Sequence, residues 1–510
     1  MSDGQLIALS MLWPALAAVA VALLGRAPNL RDGASSVATL LTFGTVVQLV
    51  PRVNSGARPS LTLMEVMPGV SLHFEVEPLG MVYALVASGL WIITALYAVG
   101  YMRGHHEENQ TRFFFFFALA ISAALGIAYA GNLFTLFLFY EVLTFSTFPL
   151  VTHHGTDAAK RAGRVYLGIL VSTSVGFLLL AVLWTYFASG TLDFRPGGIL
   201  AGKLDGAEVP ILLGLYAFGT GKAALMPFHR WLPAAMVAPT PVSALLHAVA
   251  VVKAGVFSVL KIVVYVFGLE LLQEGQASLW LMYVAAGTIL ISSVVALTKD
   301  NLKARLAYST ISQLAYIVLG AALATGAGVI GGGMHIAMHA VGKITLFFCA
   351  GAIYVAAHKT EISTMNGIGR RMPFTMGAFL IGSLSIIGLP PLGGSWSKWY
   401  LALGAAEGHN EIFILVLMLS SLLSIGYLMP VVVRAFFYEP EPDAHHGEHA
   451  EHAEHGGHDE HGHHAEHGEG MHEAPFLCVA PICAAAVGCV ALFFTSQYLH
   501  ALLLPIAGGQ

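Results

Sequence analysis

Charged residues are scarce in this sequence. Only 10% of its 510 residues are Asp, Glu, Lys or Arg, and 56% are hydrophobic, whereas soluble proteins carry about 25% charged residues. This composition excludes an ordinary soluble globular domain. The formal net charge is −5 and no basic nucleic-acid surface is visible, so we expect no nucleic-acid partner.

Cysteine is equally scarce. The four cysteines lie in apolar runs and form no C-x-x-C pair, which argues against a disulfide scaffold, a zinc ribbon and a ligated iron–sulfur cluster. No G-x-G-x-x-G fingerprint follows a strand, and no nucleophile elbow is present. We therefore expect no cofactor and no catalytic or redox site in the chain itself, although membership of an oxidoreductase complex remains open.

Long apolar runs fill most of the sequence. A transmembrane helix needs roughly 20 such residues, and fourteen runs qualify: 5–24, 35–51, 80–102, 112–130, 132–152, 162–189, 209–238, 241–267, 277–298, 304–324, 327–357, 372–403, 410–437 and 475–504. The first run lacks the basic start and cleavage site of a signal peptide, so we expect it to be retained. The runs also lack the alternation of a membrane barrel. They predict an all-α polytopic membrane protein with about 14 transmembrane helices.

The basic residues predict an orientation. Of 24 lysines and arginines, fifteen lie in loops after odd-numbered spans, four in loops after even-numbered spans and five inside spans. Because cytoplasmic loops are enriched in Lys and Arg, we expect both termini outside a bacterial inner membrane. Residues 1–437 are predicted to form a membrane domain with spans 1–13, residues 438–474 a cytoplasmic loop, and residues 475–510 span 14 and the C-terminus.

The predicted loop between spans 13 and 14 is rich in histidine. It holds 11 of the 23 histidines, and its polar, low-complexity composition cannot form a core, which predicts disorder. A tolerated disordered loop is one interpretation; loose metal buffering or pH sensing is the alternative. No metal ligands are assigned.

Two predicted spans contain helix-breaking residues. The seventh holds Pro227 and Pro233, and the twelfth holds Pro390 and Pro391 followed by Gly393 and Gly394. Interrupted helices in corresponding places of two halves indicate inverted repeats and a transport site. The two breaks are five spans apart, so we expect repeats of spans 4–8 and 9–13. The alternative is that the prolines only kink the helices.

Ionisable residues inside the predicted spans are the main candidates for function. They are five lysines and one acid: Lys222, Lys253, Lys261, Lys343, Lys398 and Glu141. Unpaired, the six charges would cost about 15–20 kcal/mol on insertion scales. A buried ion pair between Glu141 and Lys222 could merely lock the bundle, but one acid cannot neutralise five lysines. Because desolvation disfavours a charged ammonium, a buried lysine can exchange its proton near neutral pH.

A histidine stripe lies in the eleventh predicted span. His335, His339 and Lys343 are spaced by four residues and therefore share one face of a helix. A zinc pair and a satisfied pair of core histidines are the alternatives to a proton wire, but no H-E-x-x-H glutamate is present and the third residue is a lysine. His247, on the eighth span with Lys253, is a secondary candidate, as is Lys261.

Four stretches together resemble a known family. They are LFTLFLFYEVLTFSTFPLV, GTGKAALMPFHRWLPAAMVAPTPVSALLHAVAVVKAGVFSVLK, MHIAMHAVGKITLFFCAGAI and GLPPLGGSWSKWYLALG. They resemble the antiporter-like proton-translocating subunits shared by Mrp-type Na⁺/H⁺ antiporters, respiratory complex I and membrane-bound hydrogenases. The resemblance implies a mid-membrane chain of charges: Glu141 on the fifth helix, Lys222 on the seventh, Lys253 on the eighth, His335, His339 and Lys343 on the eleventh, and Lys398 on the twelfth.

The resemblance leaves several functions open. Lys398 and the end of the chain after span 14 favour the D-type subunit of an Mrp-type Na⁺/H⁺ antiporter, with H⁺ and Na⁺ as transported ions and other membrane subunits and the lipid bilayer as partners. The alternative is the proton-pumping membrane subunit of an NADH:quinone oxidoreductase or hydrogenase complex. A proton-conducting partner of another uptake system, such as one for bicarbonate, is a third hypothesis.

Overall fold

Helices dominate the computed structural model, which describes residues 1–204, 206–245, 249–439 and 471–508. His247 and residues 440–470 of the predicted histidine-rich loop lie outside the described residues. The α-helices are α1 (Asp3–Leu23), α2 (Pro28–Val47), α3 (Val50–Asn54), α4 (Pro78–Gly104), α5 (Gln110–Ala128), α6 (Leu133–Val151), α7 (Asp157–Thr173), α8 (Leu179–Ser189), α9 (Glu208–Gly219), α10 (Trp231–Ala234), α11 (Thr240–Ala244), α12 (Val251–Ile262), α13 (Leu269–Gln273), α14 (Leu279–Leu297), α15 (Leu302–Ala322), α16 (Gly326–Ala357), α17 (Ile368–Arg371), α18 (Pro373–Ile387), α19 (Gly394–Glu407), α20 (Ile412–Phe437), α21 (Phe476–Phe494) and α22 (Ser496–Leu503).

Many of these helices can cross a membrane. Within the described residues, ten spans are long and apolar enough, or eleven if the bent pair Val251–Phe267 and Leu269–Gln276 is one span. The bend of 96° falls at Gly268, whose φ of +79° is a left-handed value that favours glycine. A π-helical turn, Ser174–Leu178, joins α7 to α8. The chain is therefore a multi-pass helical membrane protein.

Side-chain caps define where several long helices begin. Asn132, Thr156, Asn301 and Thr325 accept hydrogen bonds from the first turns of α6, α7, α15 and α16. The Glu77 carboxylate caps α4 through the amides of Leu79 and Gly80, each at 2.7 Å. The first N–H groups of a helix have no partner within the helix, so these caps satisfy donors that lipid cannot.

The structure interrupts the predicted spans 7 and 12. After α9, the seventh run continues as a 3₁₀ turn (Gly221–Ala223), α10 and a second 3₁₀ turn. The twelfth run divides into α18 and α19 around a non-helical segment. The indole of Trp231 donates to the Gly221 carbonyl at 2.9 Å. Prolines free backbone groups in such breaks, and polar side chains restore their hydrogen bonds.

The described part of predicted span 8 before Lys253 holds two α-helical segments, and residues 246–248 between them lie outside the described residues. Its start is the short α11, and α12 begins only at Val251. This region follows Pro239 and Pro241, and Pro241 occupies the first turn of α11, where proline is tolerated.

One element departs from the all-α prediction. Strands β1 (Ser60–Met67) and β2 (Val70–Glu75) form an antiparallel hairpin between α3 and α4, in a register that pairs Ser60 with Glu75. Pro68 and Gly69, with φ +79° at the glycine, form the turn. The Asn132 amide donates to the Ser71 carbonyl at 2.8 Å, which attaches the hairpin to the start of α6.

Loops gather at two opposite ends of the bundle. At one end, a cavity of about 440 Å³ is lined by residues after α3, before α9, around α13 and at the C-terminal Pro505–Gly508. At the other, a cavity of about 220 Å³ is lined by the α4–α5 turn, the segment before α11 and the start of α15. The long helix α16 lies between them and packs against α15, α18, α19 and α21.

Candidate functional site

Lys222 lies wholly buried in the break of the seventh run. Its ammonium nitrogen donates to the Tyr140 carbonyl at 2.9 Å and to the Thr144 hydroxyl at 2.5 Å, both on α6. It also lies 3.2 Å from the centre of the Tyr140 ring, a cation–π contact. The Lys222 backbone N–H donates to the Tyr140 hydroxyl at 3.0 Å. One tyrosine therefore holds both the backbone and the side chain of this lysine.

Glu141 follows Tyr140 on α6 but does not form a direct ion pair with Lys222. Among the described residues its carboxylate has no basic nitrogen within 4.0 Å, and its buried Oε1 atom has no hydrogen-bond partner. The ion-pair lock considered from the sequence is therefore absent from this conformation. An unpaired carboxylate oxygen beside a buried lysine is costly unless a proton, a water molecule or another chain satisfies it.

Gly255 allows the segments that hold Lys222 and Lys253 to lie close together. A Cβ atom at this position would lie 2.2 Å from the Ala223 nitrogen and 2.3 Å from the Lys222 carbonyl carbon. Only glycine allows α12 to approach the Gly221–Ala223 turn so closely. Lys253, two residues earlier on α12, is fully buried, and its ammonium nitrogen contacts Nδ1 of His339 on α16.

Two histidine rings of α16 and one tyrosine ring of α15 continue from this contact. The His335 and His339 rings are nearly parallel, with centroids 5.7 Å apart, and Tyr316 stacks on His335 at 5.5 Å. The His335 Nδ1 atom shares a 2.9 Å hydrogen bond with the Ser397 hydroxyl of α19. Within the described residues no group of three His, Cys, Asp or Glu side chains is arranged to hold a metal ion.

Lys343 lies one turn beyond His339 and is fully buried. Its ammonium nitrogen donates to the Ser309 hydroxyl at 2.6 Å and approaches the Leu306 carbonyl at 3.3 Å, both on α15. Ser309 in turn shares a 2.9 Å hydrogen bond with the Tyr427 hydroxyl of α20. Lys343 thus has neutral oxygen acceptors, as Lys222 has.

Lys398 lies at the second break. Its ammonium nitrogen donates to the Ile387 carbonyl at the end of α18 (2.8 Å) and to the Ser421 hydroxyl of α20 (2.9 Å). It also lies 5.0 Å from the centre of the Tyr316 ring. Gly388, with φ +93°, leaves room for the lysine, because a Cβ atom there would lie 2.7 Å from Lys398 Cδ. Tyr316 therefore contacts both Lys398 and His335.

Lys261 is separate from the row formed by Lys222, Lys253, His339, His335, Lys343 and Lys398. The sequence did not indicate its partner. Its ammonium nitrogen lies 3.2 Å from the Glu77 carboxylate, and both side chains are at most 3% exposed. The Tyr265 hydroxyl donates to the same carboxylate at 2.9 Å. Glu77 is thus a second buried acid, so the count of one acid inside the bundle was wrong. It escaped notice because it directly precedes Pro78 at the predicted start of a span.

The arrangement can move protons but has no group for electron or acyl transfer on the described row. Six titratable side chains, Lys222, Lys253, His339, His335, Lys343 and Lys398, lie on neighbouring helices and contact hydroxyls, carbonyls or one another. Lysine ammonium groups donate only, whereas a neutral imidazole both donates and accepts. A histidine next to a lysine therefore has the chemistry of a proton relay, and the Lys253–His339 contact joins α12 to α16.

Comparison with known proteins is consistent with this geometry. The model of the family "NADH:quinone oxidoreductase/Mrp antiporter, TM" matches residues 130–424. NADH-quinone oxidoreductase subunit N of Desulforudis audaxviator is 34% identical over 382 residues, which cover 74% of this chain and 75% of that protein. Hydrogenase-4 component B of Escherichia coli is 32% identical over 345 residues, 64% of this chain, and the chain spans about half of its length.

Solved structures show the same fold. A chain of the Mrp complex from Dietzia sp. DQ12-45-1b superposes with a TM-score of 0.84 at 22% identity, covering 99% of this chain and 97% of that one. A chain of an archaeal membrane-bound sulfane sulfur reductase gives 0.81 at 22% identity, with 99% and 98% covered. The family match and the relative in Desulforudis show that this chain belongs to the NADH:quinone oxidoreductase/Mrp antiporter family of antiporter-like membrane subunits.

Proposed function

We propose that this chain is the proton-translocating subunit of a multisubunit Na⁺/H⁺ antiporter, similar to the D-type subunit of Mrp antiporters. The observation that carries the proposal is the contact between Lys253 and His339 in the middle of the row of buried lysines. Protons pass along this row, from the Glu141–Lys222 end to Lys398, and the energy of their passage drives export of Na⁺.

The contacts of the lysines support transport over a purely structural role. Lys222 and Lys343 have no carboxylate partner within 4.0 Å in the described chain, and their acceptors are hydroxyls and carbonyls. A structural buried charge is normally paired with an opposite charge, as Lys261 is with Glu77. Lysines that keep only neutral acceptors can release and regain a proton without leaving an unpaired acid behind.

The helices support fourteen spans and two inverted repeats, which we include in the proposal. Described helical segments occupy each of the fourteen apolar runs, including the interrupted spans 7 and 12. Helices α6 and α15, five spans apart, each offer a carbonyl and a hydroxyl one turn later to a buried lysine: Tyr140 and Thr144 to Lys222, Leu306 and Ser309 to Lys343. The two lysines lie on spans 7 and 11, so the repeats rest mainly on the interruptions beside Lys222 and Lys398, which are five spans apart.

The orientation and partners follow from the same proposal. The end of the bundle with the α4–α5 turn holds the basic loops, so it faces the cytoplasm of a bacterial cell and the termini face outward. Glu141, whose Oε1 atom has no hydrogen-bond partner in the described chain, requires a neighbour. Further membrane subunits and the lipid bilayer complete the assembly.

The sequence relatives favour a second candidate function. The matched part of the chain is 34% identical to subunit N of an NADH-quinone oxidoreductase and 32% identical to a hydrogenase component. In such a complex the same row of lysines would pump protons, driven by electron transfer in other subunits. The buried residues would keep their roles, and only the source of energy would change.

Ion flux in membrane vesicles tests the proposal. Inverted vesicles from cells with the full-length chain and its partner subunits are given a pH gradient, and a fluorescent dye follows its collapse on addition of NaCl. We expect Na⁺ to collapse the gradient with the wild-type chain, and Lys222→Ala and Glu141→Gln to abolish this. A gradient generated by NADH or H₂ but insensitive to Na⁺ would favour the second candidate.

A matched control separates the buried row from surface charge. Lys160 on α7 has a side chain 65% exposed, and its ammonium nitrogen lies 4.0 Å from the Asp157 carboxylate. Lys160→Ala should therefore leave the flux unchanged. Wild-type flux in Lys222→Ala vesicles with normal amounts of the complex would contradict both candidate functions.

A further inference from the structure

A second cluster of titratable side chains surrounds the cavity of about 220 Å³ at the end of the bundle with the α4–α5 turn. None of its members belongs to the row of buried lysines. The side chains come from four parts of the chain and include Tyr101, His105, Glu107, His154, Lys303 and Tyr354. At roughly 30 Å³ per molecule, the cavity has room for about seven waters.

Glu107 lies between two histidines of this cavity. Its side chain is only 8% exposed, and its carboxylate lies 3.3 Å from Nε2 of His154 and 3.6 Å from Nδ1 of His105. It belongs to the α4–α5 turn, whereas His154 belongs to the α6–α7 turn. A carboxylate so enclosed requires a positive partner to remain ionised.

The surroundings of His154 fit an imidazolium. Nε2 faces the Glu107 carboxylate, and Nδ1 lies 3.2 Å from the Val237 carbonyl oxygen. Both neighbours are acceptors when Glu107 is ionised, and a histidine can donate from both ring nitrogens only when it is protonated. The site therefore binds one proton in a defined place. In His153, the preceding residue, Nε2 lies 3.0 Å from the Glu108 carbonyl, and Nδ1 has no hydrogen-bond partner in the described chain.

On balance, the surroundings favour the charged form of both partners. The hydrogen bond to Glu107 raises the pKa of His154, against the opposing effects of its burial and of Lys303. Burial tends to raise the pKa of Glu107, but the hydrogen bond from His154 and the charges of His154, His105 and His153 outweigh it and lower that pKa. Tyr101 and Tyr354 also face the cavity, and Lys359 lines its edge.

The floor of the cavity is built from helices that lead to the buried row. Thr240, the first residue of α11, lies with its hydroxyl 3.5 Å from the Tyr101 hydroxyl. At Gly351 of α16 a Cβ atom would lie 2.1 Å from the Tyr97 hydroxyl oxygen and 2.7 Å from Thr240 Cγ2. Helices α4, α11 and α16 thus converge below the cavity. Helix α16 holds His339, and α11 precedes α12, the helix of Lys253, in the chain.

We propose that the Glu107–His154 pair is a proton-loading site, which takes protons from the solvent at this face and delivers them through the cavity to the buried row. A proton from bulk water binds the imidazole of His154, and Glu107 stabilises the imidazolium. The proton then leaves to water in the cavity above Thr240, and His154 returns to its neutral form. This inference rests on the proposed function, because it supplies protons to the Lys253–His339 contact.

The competing explanation is that Glu107 and His154 form a purely structural ion pair, which connects two turns and contributes to folding. The two differ in pH dependence. For a loading site, the loss of flux in Glu107→Gln is largest at high pH, where protons are scarce. For a purely structural ion pair, the loss of folded protein is largest at low pH, where His154 is charged, and disappears as pH rises above the pKa of His154. Glu107→Gln removes the charge but keeps the size of the side chain, and Glu107→Asp keeps the charge.

The test is proton flux into proteoliposomes that contain the full-length chain with its partner subunits. A potassium diffusion potential drives the flux at equal pH on both sides, from pH 6 to 9. We expect the wild-type rate to fall as pH rises through the pKa of His154. In Glu107→Gln, loss of the neighbouring charge should move this midpoint down by about one pH unit, which corresponds to a tenfold lower rate at pH 8. In His154→Gln, the flux should lose this pH dependence.

Three controls make the outcome decisive. Glu108→Gln alters the exposed neighbouring acid and should match the wild type, and Glu107→Asp should restore the midpoint. A wild-type pH profile in Glu107→Gln, or a loss of flux at pH 8 that is no greater than the loss at pH 6, would overturn the loading site. If Lys222→Ala abolishes flux while Glu107→Gln does not, only this inference fails; if Lys222→Ala conducts normally, the proposed function fails with it.

Discussion

Gly255→Ala is expected to disable transport by adding a single methyl group. The added Cβ atom would lie 2.2 Å from the Ala223 nitrogen, whereas ordinary contacts begin at 3.4 Å. Helix α12 or the Gly221–Ala223 turn must therefore move by about 1.2 Å, and overpacking of this kind costs about 1–3 kcal/mol. Alanine's higher helix propensity offsets about 1 kcal/mol of this.

The displacement acts on the two lysines that flank the contact. The Lys222 ammonium donates at 2.9 Å to the Tyr140 carbonyl and at 2.5 Å to the Thr144 hydroxyl. A shift of about 1 Å takes such contacts beyond hydrogen-bond length, and misplacement of this size costs about 100-fold in rate. We expect proton flux in proteoliposomes to fall by about 100-fold, with a small loss of thermal stability.

A second buried glycine provides the control. At Gly332 of α16 the nearest atoms to an added Cβ are the Ile317 carbonyl oxygen at 3.5 Å and Leu260 Cδ2 at 3.6 Å, which are ordinary contacts. Gly332→Ala should keep wild-type flux. Wild-type flux in Gly255→Ala would refute the reasoning that the close approach of α12 positions Lys222 and Lys253.

Three further predictions concern other parts of the chain. Lys398→Ala should block flux while the complex assembles, and Lys398→Glu should retain part of it; wild-type flux in Lys398→Ala would instead make this lysine an interfacial anchor. Deletion of residues 443–470 should leave flux at neutral pH unchanged, because it spares Glu473, which accepts from the Phe374 and Thr375 amides at 2.8 and 3.1 Å; a total loss at normal protein level would contradict this. The pair of Glu107 and His154 should stabilise the fold between the lowered pKa of Glu107 and the raised pKa of His154. The difference in melting temperature between wild type and Glu107→Gln should therefore shrink as pH rises above the pKa of His154, and a constant difference from pH 6 to 9 would count against the pair.

The positions of the helices and of the buried lysines were predictable because both depend on local sequence. A run of about 20 apolar residues needs no tertiary information to be identified as a span, and a lysine inside such a run is visible at once. Prolines and glycines likewise indicated the breaks near Lys222 and Lys398.

The partners of the lysines were not predictable, because they depend on which helices meet. Thr144, Ser309 and Ser421 are ordinary hydroxyl residues of membrane helices, and only the fold shows that each accepts from a lysine. Glu77 pairs with Lys261 across 184 positions of the chain. The β-hairpin was missed because its strands lie between spans, where a search for long apolar runs does not look.

Proton flux through Lys253→Met is the most direct test of the central claim. Methionine approximates the length of the lysine without its charge. It also removes the cost of burying a charge that has no carboxylate within 4.0 Å in the described chain. If protons cross between Lys253 and His339, flux driven by a potassium diffusion potential should vanish in proteoliposomes, while the melting temperature stays equal or rises. Wild-type flux in this variant, in a complex of normal composition, would contradict conduction along the row.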